Sequence, residues 1–273
     1  MSRQKLGQHF LASPKALDRI AAAACGQPEN PSQPCDLVVE IGPGQGALTE
    51  RLLEKSRRVV AIELDPVLAE QLRIRWRWEP RLEVVEGDAL DVDWTAWGEA
   101  SLVGNLPYYV STAIISKFLR NPGPLKQAVF LIQREVADRV TAMPGTRDFG
   151  YFSVECQLLA ATQKLFHVPP GAFRPPPKVD SSVVRLTPHL PQGGLDLPEF
   201  LNFASVCFRQ KRKTLRNNLS GLFPPETLAL AADAMAQRAE QLSVDRFLAL
   251  FAALRSRTPE SAAPATQPEA ART

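Results

Sequence analysis

Short apolar runs alternate with helix-patterned segments from residue 37 to residue 187, and then the alternation stops. The runs 37–41, 59–63, 82–86, 101–104 and 127–132 are rich in Val, Ile and Leu. Such runs read as strands buried on both faces. Between them, 47–56, 66–77, 111–120, 134–141 and 151–162 carry helical patterns. Apolar strands alternating with helices predict an α/β fold, a mostly parallel sheet covered by helices on both sides. Ser13-Pro14 predicts one more helix in front, with Ser as the cap and Pro at the first helical position. That helix should run to Cys25 and bury Leu17, Ile20, Ala21 and Ala24 on one face. Two later strands are expected at 163–168 and 182–187. They flank a stretch, 169–177, too rich in proline for regular structure.

After Thr187 the pattern is helical only. Residues 188–198 read as a linker, and 198–220, 226–239 and 243–254 as helices of a separate, small all-helical domain. Residues 258–273 are Ala, Pro, Thr and Glu without periodicity, expected to be a disordered tail. The expected organisation is therefore 1–187, 188–257 and 258–273. A loop at 26–34 follows the first helix.

Composition excludes several classes. At 45% hydrophobic and 22% charged, the 273 residues suit a globular protein. No uncharged run is long enough to span a bilayer. The first ten residues lack the apolar stretch of a signal peptide. The four cysteines (Cys25, Cys35, Cys156, Cys207) have no metal-ligand spacing. No membrane, no metal and a reducing cytoplasm are the expectations. Net charge is only +3, but it is unevenly spread. Arg209, Lys211, Arg212, Lys213 and Arg216 lie between Phe200 and Pro225 with no acid among them until Glu226. Arg73 to Trp78 is a second basic stretch, interleaved with tryptophans, and Arg3 and Lys5 add charge at the start.

Three strand ends carry chemistry. Glu40-Ile41-Gly42-Pro43-Gly44-Gln45-Gly46-Ala47 leaves the first sheet strand and opens a helix. Glycines there permit a tight turn and close approach of backbone to a ligand. Gly42, Gly44 and Ala47 fit a dinucleotide loop. Gly42, Gly44 and Gly46 fit the loop of S-adenosylmethionine methyltransferases equally well. Glu63 ends the second strand, where a carboxylate can accept both ribose hydroxyls of either cofactor. Asp88, ending the third, can accept from an adenine amino group. Asp65 reads as the cap of the following helix.

The fourth strand discriminates. It ends in Asn105-Leu106-Pro107-Tyr108. An exocyclic amino group is a poor nucleophile because its lone pair is delocalised. The Asn105 carboxamide oxygen and the Leu106 carbonyl can each accept one of its N–H bonds. Pro107 restricts Leu106 to extended or turn geometry. Tyr108 can stack on the base, worth roughly 1–3 kcal/mol. Hydride transfer has no use for such a clamp; methyl transfer to an amine does. His9, His167 and His189 offer no paired nucleophile or acid.

With these residues placed, the chain resembles the rRNA adenine N6,N6-dimethyltransferase family over about residues 3–254. The segments 7–11, 130–137, 173–181 and 208–217 strengthen the resemblance. It implies a Rossmann-like class I methyltransferase domain using S-adenosyl-L-methionine, without metal. The cofactor would be held by His9, Leu11, Gly42, Gly44, Glu63, Asp88 and Asn105. Asn105, Leu106, Pro107 and Tyr108 would hold the target base, with Phe173 packing on it opposite Tyr108. Arg209, Arg212 and Arg216 at i, i+3 and i+7 would form a cationic helix face for RNA, joined by Lys213. The implied substrate is two adjacent adenosines near the 3′ end of 16S rRNA, in the small ribosomal subunit or its precursor, acted on by a monomer. The rivals are a 23S rRNA adenine methyltransferase of the antibiotic-resistance type, an NAD-dependent oxidoreductase, and an assembly factor whose binding matters more than catalysis.

Overall fold

The computed structural model describes residues 9–26, 34–189, 191 and 194–255. Arg3, Lys5, residues 7–8 of the N-terminal motif, most of the 26–34 loop, part of the 188–198 segment and the 258–273 tail lie outside the described residues.

The chain opens with a two-residue strand, β1 (Phe10–Leu11), and helix α1 (Pro14–Cys25). The Ser13 side chain accepts from the Ala16 N–H at 3.4 Å, and Pro14 starts the helix. Ala16, Leu17, Ile20, Ala21 and Ala24 are buried against Val38, Val103 and Val129 of the sheet. Burying one such Leu or Ile contributes about 1.5–3 kcal/mol.

The alternation then proceeds as β2 (Cys35–Ile41), α2 (Ala47–Leu53), β3 (Ser56–Glu63), α3 (Pro66–Arg75), β4 (Leu82–Glu86), β5 (Ser101–Asn105), α4 (Ser111–Arg120), β6 (Gln127–Gln133) and α5 (Arg134–Val140). It continues with α6 (Tyr151–Leu159), β7 (Ala160–Val168), β8 (Phe173–Arg174) and β9 (Ser181–Pro188). The main sheet has seven strands in the order β4-β3-β2-β5-β6-β9-β7. The pairs from β4 to β6 are parallel, and β9 runs antiparallel to both β6 and β7. The chain winds outward from β2 to β4 and returns to β5 on the other side of β2. The carboxyl ends of β2 and β5 therefore flank a switch point, where open α/β sheets bind ligands. A separate ribbon pairs Leu11 with Phe173 and Phe10 with Arg174.

Two compact units result. One comprises the chain through Met143 with Asp148–Leu195, the other Pro144–Arg147 with Asp196 onward. The second unit holds α7 (Leu197–Cys207), α8 (Leu215–Leu219), α9 (Pro225–Ala229), α10 (Ala232–Met235) and α11 (Val244–Arg255). Asp196 caps α7 by accepting from Glu199 N–H at 3.0 Å. Phe200, Phe203 and Phe251 meet at ring-centroid separations of 5.4–6.5 Å and form its core.

One sequence expectation fails here. The helix read at 198–220 breaks after Cys207, and residues 208–214 form turns. Asn218 causes the break. Its amide nitrogen donates to the carbonyls of Cys207 (2.8 Å) and Gln210 (3.3 Å), and its oxygen accepts from Gln210 N–H (3.1 Å). One buried side chain thus satisfies backbone groups that a continuing helix would have paired. Arg209, Arg212 and Lys213 lie on this turn, and only Arg216 is helical. The i, i+3, i+7 face does not exist. The pattern at 226–239 likewise resolves into two short helices.

Candidate active site

The loop after β2 turns through three glycines in the left-handed region, with φ of 67°, 58° and 82° at Gly42, Gly44 and Gly46. At two of them space is also lacking. A Cβ on Gly44 would lie 2.9 Å from the Phe10 ring, and one on Gly46 would lie 2.3 Å from Trp76. Glycine keeps the loop thin enough for a ligand to approach its backbone.

The loop is tied to the neighbouring strand end by a carboxylate. Glu63 accepts from Gly44 N–H (2.9 Å) and from Asp65 N–H (3.0 Å), one bond on each oxygen. Each oxygen keeps a second lone pair for a ligand hydroxyl. Asp65 in turn caps α3 through Val67 N–H at 2.8 Å. Beside Glu63, Glu40 is fully buried and accepts from the Thr49 hydroxyl at 2.7 Å. Burial, reinforced by the Glu63 charge, pushes its carboxyl up to about 8. The two carboxyls differ in role: Glu63 reaches the ligand space as an acceptor, while Glu40 is held in its neutral form at neutral pH.

Asp88 follows β4, and its Oδ1 accepts from Leu90 N–H at 2.8 Å. Lys117 of α4 fastens this turn. Its ammonium donates to the carbonyls of Ala89, Leu90 and Val92 at 2.6–2.9 Å and sits 4.3 Å from the Trp94 ring. Burial lowers its pKa.

At the end of β5, the Asn105 amide nitrogen donates to the carbonyl of His9 at 3.0 Å. A carbonyl only accepts, so it is the amide nitrogen that faces His9, which leaves Oδ1 as an acceptor. The Leu106 N–H donates to Leu131 carbonyl at 3.1 Å, which fixes the peptide plane before Pro107. The Tyr108 hydroxyl bonds Ser181 Oγ at 2.9 Å, and burial raises its pKa. The His9 ring lies 5.9 Å from the Tyr108 ring at 31°, anchored by a 2.8 Å bond between Nδ1 and Pro175 carbonyl.

His9, Leu11, Gly42, Gly44, Glu63, Asp88, Asn105, Leu106, Pro107 and Tyr108 all line a single cavity of about 450 Å³. Phe173 does not, which corrects its expected place opposite Tyr108. It is fully buried in the core with Leu11 and Leu17. Pairing with β1 turns Phe173 inward, so its neighbour Arg174 reaches the cavity instead. Sequence reasoning also passed over Glu40, Lys117 and Tyr109, the last exposed at the cavity. A carboxylate inside an apolar strand was the available signal for Glu40; Lys117 carried none. Among the described residues no cluster of three or more His, Cys, Asp or Glu could hold a metal, and no helix is long and apolar enough to cross a membrane.

The seven-strand order, with β9 inserted antiparallel between β6 and β7, is that of a Rossmann-like class I methyltransferase. Comparison with known proteins narrows that class. The family described as Ribosomal RNA adenine dimethylase matches residues 1–256, and the chain belongs to it. A ribosomal RNA small subunit methyltransferase A from Acidobacterium capsulatum is 44% identical, covering 94% of this chain and 92% of that one. Its counterpart from Leptothrix cholodnii is 39% identical, covering 92% and 91%. Among solved structures, a dimethyladenosine transferase from Plasmodium falciparum superimposes with a TM-score of 0.79 at 28% identity, covering 91% and 98%. The 23S rRNA methyltransferase ErmE gives 0.70 at 27%, covering 90% and 99%. Family and fold together imply S-adenosylmethionine-dependent dimethylation of adenine in ribosomal RNA. The oxidoreductase reading falls with that membership.

Proposed function

We propose that this protein dimethylates the amino groups of two adjacent adenosines near the 3′ end of 16S rRNA, in the small ribosomal subunit or its precursor. It acts there as a cytoplasmic monomer. The observation that carries the site assignment is the Asn105 amide, locked by the His9 carbonyl with its oxygen left as an acceptor. The names of the curated relatives favour the small subunit over the 23S alternative.

The residues present fit the cofactor. The glycine loop is a cradle that a Cβ at Gly44 would fill, and Glu63 has lone pairs left for ribose hydroxyls. Asp88 would take the cofactor's adenine amino group, and His9 and Leu11 would close the near side. When bound, S-adenosylmethionine supplies an electrophilic sulfonium methyl group.

The rest is positioning. Asn105 Oδ1 and the Leu106 carbonyl accept the two N–H bonds of the target amine, which draws its lone pair out of conjugation. Pro107 keeps the Leu106 carbonyl in place, and Tyr108, tethered through Ser181, supports the base face. No general base is needed, because the methylated product cation loses its proton readily to water. Orientation of this kind can supply on the order of 7–11 kcal/mol. After the first methyl only one N–H remains, so Tyr108 carries more of the positioning in the second transfer.

Charge on the helical unit supports an RNA-binding role for Arg209, Arg212, Lys213 and Arg216. They sit on an exposed turn and the helix after it, and none of the four ion-pairs with an acid among the described residues. Phosphate contacts ask for that kind of uncompensated charge. Mapping N6,N6-dimethyladenosine in small-subunit rRNA, with and without the protein, tests the proposal. Purified 30S precursors should be methylated and naked 23S rRNA should not; the reverse outcome would assign it to the large subunit.

A further inference from the structure

An open depression of about 550 Å³ lies in the sheet unit and shares Ala12 and Arg174 with the cavity described above. Lys15 and Arg19 line it from one face of α1, one turn apart, and Arg174 lines it from β8. No acidic side chain is among its lining residues, and none of these three cations forms an ion pair among the described residues. His167, which also lines it, is paired with Asp180 at 3.2 Å, and Asp180 is engaged as well by Arg134 at 3.2 Å.

One wall is built for a flat ring. The Arg19 guanidinium lies 3.7 Å from the centroid of the Phe166 ring. Phe166 reaches it because β7, at the sheet edge, has a bulge between Lys164 and Phe166. Bulges at edges re-aim side chains in this way. A guanidinium stacked on a ring leaves its outer face for a second planar group, and unstacked RNA bases are held on such faces.

We propose that this depression binds the nucleotide next to the one being methylated, its phosphate on Lys15 and Arg174 and its base on the Arg19–Phe166 stack. The inference rests on the reading that the cavity takes an adenosine. The shared Ala12 and Arg174 wall puts the cavity and the depression side by side, as neighbouring nucleotides of one strand require. Uncompensated cations beside a stacking surface suit a nucleotide better than they suit a bare anion or an acidic peptide.

The test uses the full chain and small-subunit particles lacking dimethyladenosine. In Lys15→Ala/Arg19→Ala, KM for the particle should rise roughly tenfold, with kcat changed less than twofold. The dependence of log KM on log salt should flatten by about 0.7 for each phosphate that is no longer neutralised. Binding of S-adenosylhomocysteine should not change. Arg19→Lys should restore the salt slope and only part of the affinity, because an ammonium does not stack like a guanidinium. Full recovery in Arg19→Lys would reduce the site to an anion trap and overturn the nucleotide assignment. An unchanged KM and salt slope in the double variant would overturn the inference alone. A wild-type chain that leaves no dimethyladenosine would overturn the functional reading and this inference with it. Both substituted side chains are exposed, and equal thermal midpoints would confirm an intact fold.

Discussion

The sheet unit and the helical unit handle charge in opposite ways. In the first, Glu63, Asp88 and Glu40 sit at strand ends, and each is tied to a backbone N–H or a hydroxyl. In the second, Arg209, Arg212 and Lys213 project from an exposed turn whose shape depends on the buried Asn218. The contrast fits the two tasks proposed for the two units. Methyl transfer rewards side chains held to a fraction of an ångström. Recognition of an RNA backbone asks for density of positive charge, and tolerates side chains that adjust.

That contrast can be broken at several points. The largest effect is expected from Asn105→Ala. Loss of the amine acceptor should lower kcat by about 10²–10³-fold, measured by methyl incorporation, while salt-sensitive binding to small subunits persists. Loss of both together would mean that the two units do not divide the work. Glu63→Ala removes the proposed ribose acceptor and the tie to Gly44. S-adenosylhomocysteine binding by calorimetry should weaken by about 2–3 kcal/mol. Asn218→Ala should destabilise the helical unit by about 2 kcal/mol in denaturant unfolding, since three hydrogen bonds go and buried backbone groups are orphaned. RNA affinity should fall with it, whereas cofactor binding should not. Arg212→Ala with Lys213→Ala should weaken RNA binding roughly tenfold and reduce the salt slope by about 1–2, read by titration at several ionic strengths.

The narrowest effect concerns Glu40, whose exchange changes a pH dependence and not the chemistry. Its folded pKa of about 8 lies above the ordinary 4.5. The neutral form is the one the fold favours, so its contribution is fully present below about pH 4.5 and is lost as pH rises through 8. Glu40→Gln keeps an acceptor for Thr49 and removes the titration. The decline in thermal midpoint between pH 5 and 8 should flatten. An unchanged decline would assign that pH dependence to other groups.

The two regions were also unequally legible in the sequence. Sheet strands of Val, Ile and Leu, the Ser13-Pro14 start and the glycine loop are local signals, and the elements built from them fall within a few residues of expectation. The strands stop where pairing stops: β7 starts at Ala160 because that residue opposes Pro188. The break at Phe208 had no local mark, since no glycine or proline lies between Glu199 and Ser220. It is imposed by an asparagine in the next helix. Phe173 failed for a related reason. Its inward face is set by a two-residue pairing with Phe10–Leu11, far away in the chain, and periodicity does not report on so short a strand. Arg174, its outward neighbour, was overlooked for the same reason.

The bond from Asn105 to His9 runs to a main-chain carbonyl, not to the imidazole. The bond itself asks only for a main-chain carbonyl at position 9, and the imidazole, bonded to the Pro175 carbonyl, helps to hold that carbonyl in place. Removal of the leading segment is another matter. A chain begun at Phe10 would keep the side chains at the ends of β2 to β5 but would lose the carbonyl that the Asn105 amide nitrogen donates to. On the proposed reading of Asn105, residue 9 is therefore part of the site, and a chain begun at Phe10 should show a lower kcat in methyl incorporation.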